Sequence, residues 1–412
     1  MKPAIITACM GLAAASWGAA VPTVADVAMS EDAATRTVTV TYTLANAPGI
    51  VTAMFLTNGV PVDSVTALGG DVNRYVTNVD STCTFTWIPE KSWPWHLIED
   101  GSMTARVTAW ATNAPPDYMA INLSVTNAVF FYERAADVPG GVTNDMYKTE
   151  WLLMRKIHAK DVVWHMGSPT FEGNRNAEYE VMHPVRLTYD YYLGVYMATQ
   201  RQYQRITRNT ALPGNYTSSA TYPDSWGFPV NTLKMSTLRG TSYSWPADMH
   251  KVTDGSFMGQ LRQLTGIDSF DLPTEAEWEY ACRAGTFTAH YDGTDTTATL
   301  ADLCWYVANS AVDGTKIPHV VGLKKPNPWG LYDMYGNLPE RCLDWRAPYE
   351  NTDRIAVDPV GAASGTSPVT RGGSKDHTSA NARSAARDGN SAESPSYYSA
   401  MRLRCSAALS LR

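Results

Sequence analysis

A chain of 412 residues is too long for one ordinary hydrophobic core, so two domains are the natural expectation. The formal charge of −7 is spread along the chain without a basic run, which excludes the electrostatic footprint of a nucleic-acid or anionic-membrane binder. The N-terminus reads as a secretory signal over residues 1–20: Lys2, an apolar run from Ala4 to Ala15, then the small residues Gly18, Ala19 and Ala20. That run falls short of the ~20 residues a membrane span requires. Cleavage after Ala20 is expected, placing the mature chain in a secreted, periplasmic or cell-surface setting. Five cysteines then remain (Cys83, Cys282, Cys304, Cys342 and Cys405), an odd number without a C-x-x-C pair, and their spacing fixes no disulfide connectivity.

From Val21 to Arg134 apolar and small polar residues alternate. Val38, Val40, Tyr42 and Leu44 interleave with threonines, as do Cys83, Phe85 and Trp87, and Met103, Ala105 and Val107. A period of two marks strands with one buried face, and Asn58-Gly59 between apolar runs is a hairpin-turn signal. An antiparallel β-sandwich of immunoglobulin or fibronectin type is expected over residues 21–134, without a catalytic constellation and best read as a spacer. Residues 135–150, with Pro139-Gly140-Gly141, break the composition and read as a linker.

The second domain, residues 151–412, opens with an apolar strand from Trp151 to His165. Leu187 to Gln200 predicts a tyrosine-rich strand running into a short helix around Tyr203. Residues 207–256, rich in Asn, Ser, Tyr, Pro and Gly, read as a long loop, and Ser256 to Thr265 as one modest helix. The segment LPTEAEWEYACRAGT, Leu272 to Thr286, is the strongest helix signal. Pro273-Thr274 starts it; Glu275, Glu277 and Glu279 sit near the positive end of its dipole; Ala276, Trp278, Tyr280 and Ala281 give an apolar side. The expectation is an amphipathic, half-buried helix. Beyond Thr286 the chain reads mostly as turns, with short apolar pieces at Val320-Val321 and Val369.

That segment resembles the signature helix of the formylglycine-generating enzyme, or sulfatase-modifying-factor, family. KPNPWGLYDMYGNLPERCLDW (Lys325 to Trp345), the block from Arg371 to Arg402 that opens RGGS and carries RSAAR, and an earlier block from Met166-Gly167-Ser168 through His183-Pro184-Val185 to Tyr203 are similar to the family in the same order. The resemblance spans residues 151 to 405 and implies a loop-rich α+β fold of C-type-lectin-like kind.

In the catalytic members the resemblance points to two cysteines in the loop after RGGS, which bind copper and help oxidise a sulfatase cysteine to formylglycine with oxygen. Thiolates are the ligands a soft Cu(I) ion favours, and the loop from Arg371 to Ser384 contains none. His377 stands where the first would be. Copper and formylglycine generation are therefore not expected. The family's Trp-Glu-Trp is Pro339-Glu340-Arg341 here, and its Glu-Val-Thr is Met197-Ala198-Thr199. The resemblance further implies structural calcium at two sites. One falls on Asp333, Gly336, Leu338 and Glu340, the other on Asp302, Leu303, Asp313 and Thr315, all offering oxygen donors.

Two readings of function follow. In the first, the protein is a non-catalytic recognition module that presents the loop from Lys375 to Ser399 to a protein or glycan, with Lys375, His377, Asn381, Arg383, Arg387, Asn390, Tyr397 and Tyr398 facing the ligand. In the second, it is a metal-dependent oxidoreductase with Ser374, Asp376 and His377 as its candidates. Metalloprotease, serine-hydrolase and phosphate-loop signatures are absent from the sequence. The first reading fits the residues better.

Overall fold

The computed structural model describes residues 20–411 except 64, 79–81, 97–100, 214–215, 217–221, 241–242, 250, 351–352 and 395–398. The signal segment up to residue 19, Tyr397 and Tyr398 lie outside the described residues. The contacts divide the chain into two compact units. One takes residues up to 121 with 128–144 and 407–412; the other takes 122–127 and 145–406. Residues 135–150 are thus shared between the units, and Val138 and Tyr147 within them are buried.

The first unit is built on β1 (Thr23–Asp32), β2 (Thr37–Ala45), β3 (Gly49–Thr57), β4 (Thr82–Trp87) and β5 (Met103–Trp110). One antiparallel sheet runs β1, β2, β4 and the short strand Leu68–Gly70; the other centres on β3, which pairs with β5, Val60–Pro61 and Arg74–Val76. The alternation predicted for β2 is realised: Val38, Val40, Tyr42 and Leu44 are buried and the intervening threonines are not. They share one core with Phe85 and Trp87 of β4, and with Val51, Phe55 and Val107 of the other sheet. The Asn58-Gly59 turn has φ of 51° and 78°, the positive pair a two-residue hairpin demands, and it sets Thr57 opposite Val60.

The second unit holds β6 (Trp151–Ile157), β7 (Tyr191–Gly194), α1 (Gln200–Thr207), α2 (Phe257–Thr265), α3 (Glu275–Arg283), β8 (Glu340–Trp345), β9 (Pro368–Arg371), β10 (Arg387–Gly389) and β11 (Arg404–Ser406). It is mixed α and β with several small sheets. β7 lies antiparallel between β6 and β11, β9 lies antiparallel between β8 and β10, and Val163–Met166, His183–Arg186 and Ala356–Val357 form a third group. The strand expected from Trp151 to His165 is therefore two strands in different sheets. The region read as loop contains a short helix, Met235–Arg239.

Each long helix starts on a hydroxyl that caps its first turn, as the sequence predicts for Thr274 of α3. Thr199 accepts from Gln202 N at 3.2 Å, Ser256 from Gly259 N at 3.1 Å, and Thr274 from Glu277 N at 3.2 Å. α3 corrects one expectation: it is not half buried, because all nine of its residues are buried, the three glutamates included. Its apolar side packs with Tyr191, Met334, Tyr335, Cys342 and Val369. Its acidic side is buried against arginines, and that arrangement organises the site.

Candidate functional site

A buried carboxylate is tolerated only when paired and hydrogen-bonded, and each glutamate of α3 meets that condition with residues distant in sequence. Glu275 is held by Arg371 Nε at 3.2 Å and Arg387 Nη2 at 2.5 Å. Glu277 accepts from Arg404 Nη2 at 2.6 Å and from Thr274 N at 2.8 Å. Glu279 accepts from Gly167 N and Arg283 Nε, each at 2.8 Å, and from Arg371 Nη2. Burial alone would raise the Glu279 carboxyl, but the Arg371 and Arg283 guanidinium groups outweigh it and hold it below the ordinary carboxylate value. Asp344 of β8 forms no such ion pair among the described residues, the Arg387 charge acting on it only weakly against burial. It accepts from Glu275 N at 2.7 Å, and burial, with the charge of Glu275 adding to it, pushes its carboxyl up to about 8.

This network sets the position of the loop after Arg371. Gly372 and Gly373 take φ of 89° and 72°, and a Cβ on Gly373 would stand 2.8 Å from the Asn381 carbonyl oxygen, so glycine is required there. The chain then turns tightly. His377 N donates to Ser374 O at 3.0 Å, Lys375 N to Asn337 O at 2.8 Å, and Ser310 Oγ to Lys375 O at 2.6 Å. Beside the turn lies a cleft with a volume of 60 Å³, whose lining includes His377, Asn381, Arg387 and Asn390 together with Pro339 and Thr370.

The predicted ligand-facing residues therefore divide. His377, Asn381 and Asn390 edge the cleft. Arg383 and Arg387 both pair with carboxylates inside the unit: Arg383 is buried against Glu172 and Glu180, with Nη2 2.9 Å from Glu180 Oε1, while Arg387, which also lines the cleft, reaches Glu275 and lies over the Tyr349 ring. Lys375 is buried with its ammonium 2.6 Å from Asp376 Oδ2.

That last pair belongs to the alternative site. Asp376 is engaged by Lys375, Ser374 Oγ accepts from Asp376 N at 3.2 Å, and His377 Nδ1 is buried without a hydrogen-bond partner. Among the described residues no group of three or more His, Cys, Asp or Glu side chains could hold a metal. The residues present do not fit a copper ion on a cysteine pair. The five described cysteines are all buried and none is in a disulfide, and burial pushes the thiols of Cys282, Cys304 and Cys405 up to about 12.

The two calcium candidates differ. At Asp333 the residues fit a hard cation: the side chain is buried, Oδ2 accepts from Gly322 N at 2.6 Å, and Oδ1 has no partner. Burial pushes its carboxyl up to about 6, a cost that a cation would remove. Glu340 is close enough to raise it further, but its own oxygens are engaged by Arg402 Nη2 at 2.6 Å and Trp278 Nε1 at 2.7 Å. The cation would therefore rely on Asp333 and on backbone oxygens of the Gly336 and Leu338 kind. At the other candidate the residues do not fit. Asp302 is exposed and paired with Lys325 at 2.8 Å, Leu303 O already accepts from Tyr291 OH at 3.2 Å, and Asp313 and Thr315 sit in an exposed hairpin turn.

Sequence reasoning passed over Asp344 and the charge of Arg341. The available signal was the arginine itself, standing where the family resemblance expects tryptophan.

Residues 154–406 match the family model described as the sulfatase-modifying factor enzyme 1-like domain. The formylglycine-generating enzyme of Thermomonospora curvata is 40% identical over 113 residues, covering 25% of this chain and 37% of the relative. That of Streptomyces coelicolor is 39% identical over 110 residues, covering 25% and 35%. The chain thus spans about a third of the length of these relatives. A solved structure, the variable protein 1 of Treponema denticola, is 27% identical with a TM-score of 0.48, covering 62% of this chain and 95% of that one. With the family model matched across most of the second unit, and with α3, the RGGS turn and the GLYDMYGN segment assembled around one arginine–carboxylate network, this chain belongs to the sulfatase-modifying factor enzyme 1-like family.

Proposed function

We propose that this protein is a secreted, non-catalytic recognition protein, built on a C-type-lectin-like member of the family and preceded by a β-sandwich spacer. The observation that carries this reading is the loop from Arg371 to Ser384. It keeps the glycine turn and the buried arginine that position the family's site, yet it holds no cysteine. A Cu(I)-thiolate oxidation needs soft sulfur donors, and His377 beside an Asp376 already engaged by Lys375 does not replace them. What remains is a small polar cleft edged by His377, Asn381 and Asn390, a surface able to hydrogen-bond a protein or glycan. Calcium at Asp333 is part of the proposal, as a structural ion that ties the GLYDMYGN segment to Gly322.

The test uses the full chain with a peptide carrying C-x-P-x-R, copper, oxygen and a thiol reductant. No aldehyde should form by mass spectrometry, and no oxygen should be consumed above the peptide-only control. Detection of formylglycine, or thiol-dependent oxygen uptake by metal-loaded protein, would overturn the recognition reading.

A further inference from the structure

Ten carboxylic side chains are buried among the described residues of the second unit, and eight of them are paired with an arginine, the three glutamates of α3 included. Asp333, the calcium candidate, is one exception. Asp344 is the other, with an exposure of 2%.

A buried carboxyl without a counter-ion avoids the penalty on its charged form by keeping its proton. Burial, reinforced by the charge of Glu275, holds Asp344 protonated up to about 8. Its Oδ2 accepts from Glu275 N at 2.7 Å. The charged and titratable groups around it are Glu275, Arg387, Tyr243 and Cys342, with His183, Tyr349 and Glu350 in the wall of the cavity that it lines. The guanidinium in that wall, Arg387, is engaged by Glu275 at 2.5 Å and is not available to Asp344 as an ion-pair partner.

The cavity has a volume of 170 Å³. Met166, Trp345, Pro359, Val360 and Ala362 make much of its wall apolar, and the exposed Glu350 and Gly361 mark its open side. Gly361 has a φ of 72°, and a Cβ there would stand 3.0 Å from Asp344 Oδ1, so glycine keeps the space beside that oxygen free. His183 Nδ1 lies 2.9 Å from Val181 O, which can only accept; Nδ1 therefore carries a proton, and Nε2 of the neutral ring is left as an acceptor. The wall thus combines an apolar surface with acceptors, and its one cation is already neutralised.

We propose that this cavity binds a primary alkylammonium group, a lysine side chain or a free alkylamine, whose short chain lies on the apolar wall and whose ammonium supplies the counter-ion that Asp344 lacks. Hydrogen bonds from an ammonium to a carboxylate are charge-assisted and stronger than those a neutral ligand would make. Glu350 at the open side favours a cation and, with Glu275, disfavours an anion. The site goes beyond the recognition reading and does not rest on it: Arg387 is the residue it shares with the lining of the cleft at His377. Binding converts Asp344 to its carboxylate and releases one proton, while an alkylammonium stays charged throughout the neutral range. The apparent affinity should therefore rise about tenfold from pH 6 to pH 7 and level off as the pH passes the carboxyl's own value.

The test is thermal melting of the full chain at pH 6, 7 and 8 with n-butylammonium chloride, with Nα-acetyl-lysine methylamide, and with n-butanol as the uncharged control, all at matched ionic strength in sodium chloride. An amine that binds the folded state should raise the wild-type midpoint by mass action, more at pH 7 and 8 than at pH 6, and more than butanol does. Asp344→Asn keeps the shape of the side chain and should abolish the rise. Ala362→Leu fills the cavity without touching the carboxyl and should reduce it. A response to the lysine derivative, alone or with butylammonium, assigns a lysine side chain; a response to butylammonium alone assigns a free amine. No rise with either amine in wild type, an equal rise with butanol, an equal rise in Asp344→Asn, or a rise that shrinks with increasing pH would overturn the proposal. If Asp344→Asn does not fold, the pH dependence and Ala362→Leu decide on the same criteria. None of these outcomes bears on aldehyde formation, so the recognition reading stands or falls separately.

Discussion

Replacing Glu279 by glutamine tests the physical account of the second unit most directly. The side chain keeps its shape but loses its charge, and it sits at 0% exposure between Arg283 and Arg371. Two guanidinium groups would then face a neutral amide with nowhere to be hydrated. The amide nitrogen would also stand against one of three donors, Gly167 N, Arg283 Nε or Arg371 Nη2. Removing one partner of a buried ion pair costs about 3–5 kcal/mol. For a domain of this size that corresponds to a fall in the melting midpoint of roughly 6–20 °C. Urea denaturation followed by tryptophan fluorescence is the assay, since Trp278 lies in the same helix. A double variant, Glu279→Met with Arg371→Met, removes both charges and should lose less than the sum of the single changes. A loss below about 1 kcal/mol for Glu279→Gln, or strict additivity in the double variant, would refute the claim that α3 is held by buried charge pairing.

Two further outcomes follow from the carboxylates that lack such partners. Asp344 binds its proton more tightly folded than unfolded, so stability should fall as pH rises from about 4 toward 8, by on the order of a few kcal/mol; Asp344→Asn should flatten that slope in urea titrations, and an unchanged slope would exclude Asp344 as its source. Calcium should raise the melting midpoint of the full chain and a chelator should lower it, with Asp333→Asn blunting both effects; a chelator-insensitive midpoint with no calcium by elemental analysis would remove the ion from the account.

Much of the local structure is legible from residue order alone, since its causes act over a few positions. Alternating burial in β2, the Asn58-Gly59 turn and the hydroxyl caps of α1, α2 and α3 each depend on periods or torsions within one segment. The family, too, is legible, through motif blocks whose identities survive in order.

The charge pairing was not. Glu275, Glu277 and Glu279 look like the solvated face of an amphipathic helix until Arg371, Arg387 and Arg404, about a hundred residues later, close over them. The same blindness made Arg383 look like a ligand contact, because an arginine in a polar loop is indistinguishable by sequence from one turned inward onto carboxylates. The sequence determined the strongly patterned elements, such as β2 and α3, and the cap where α3 begins. Only the tertiary structure decided which charges are neutralised, because a Coulomb partner is chosen by distance in space, and burial multiplies the energy of that choice.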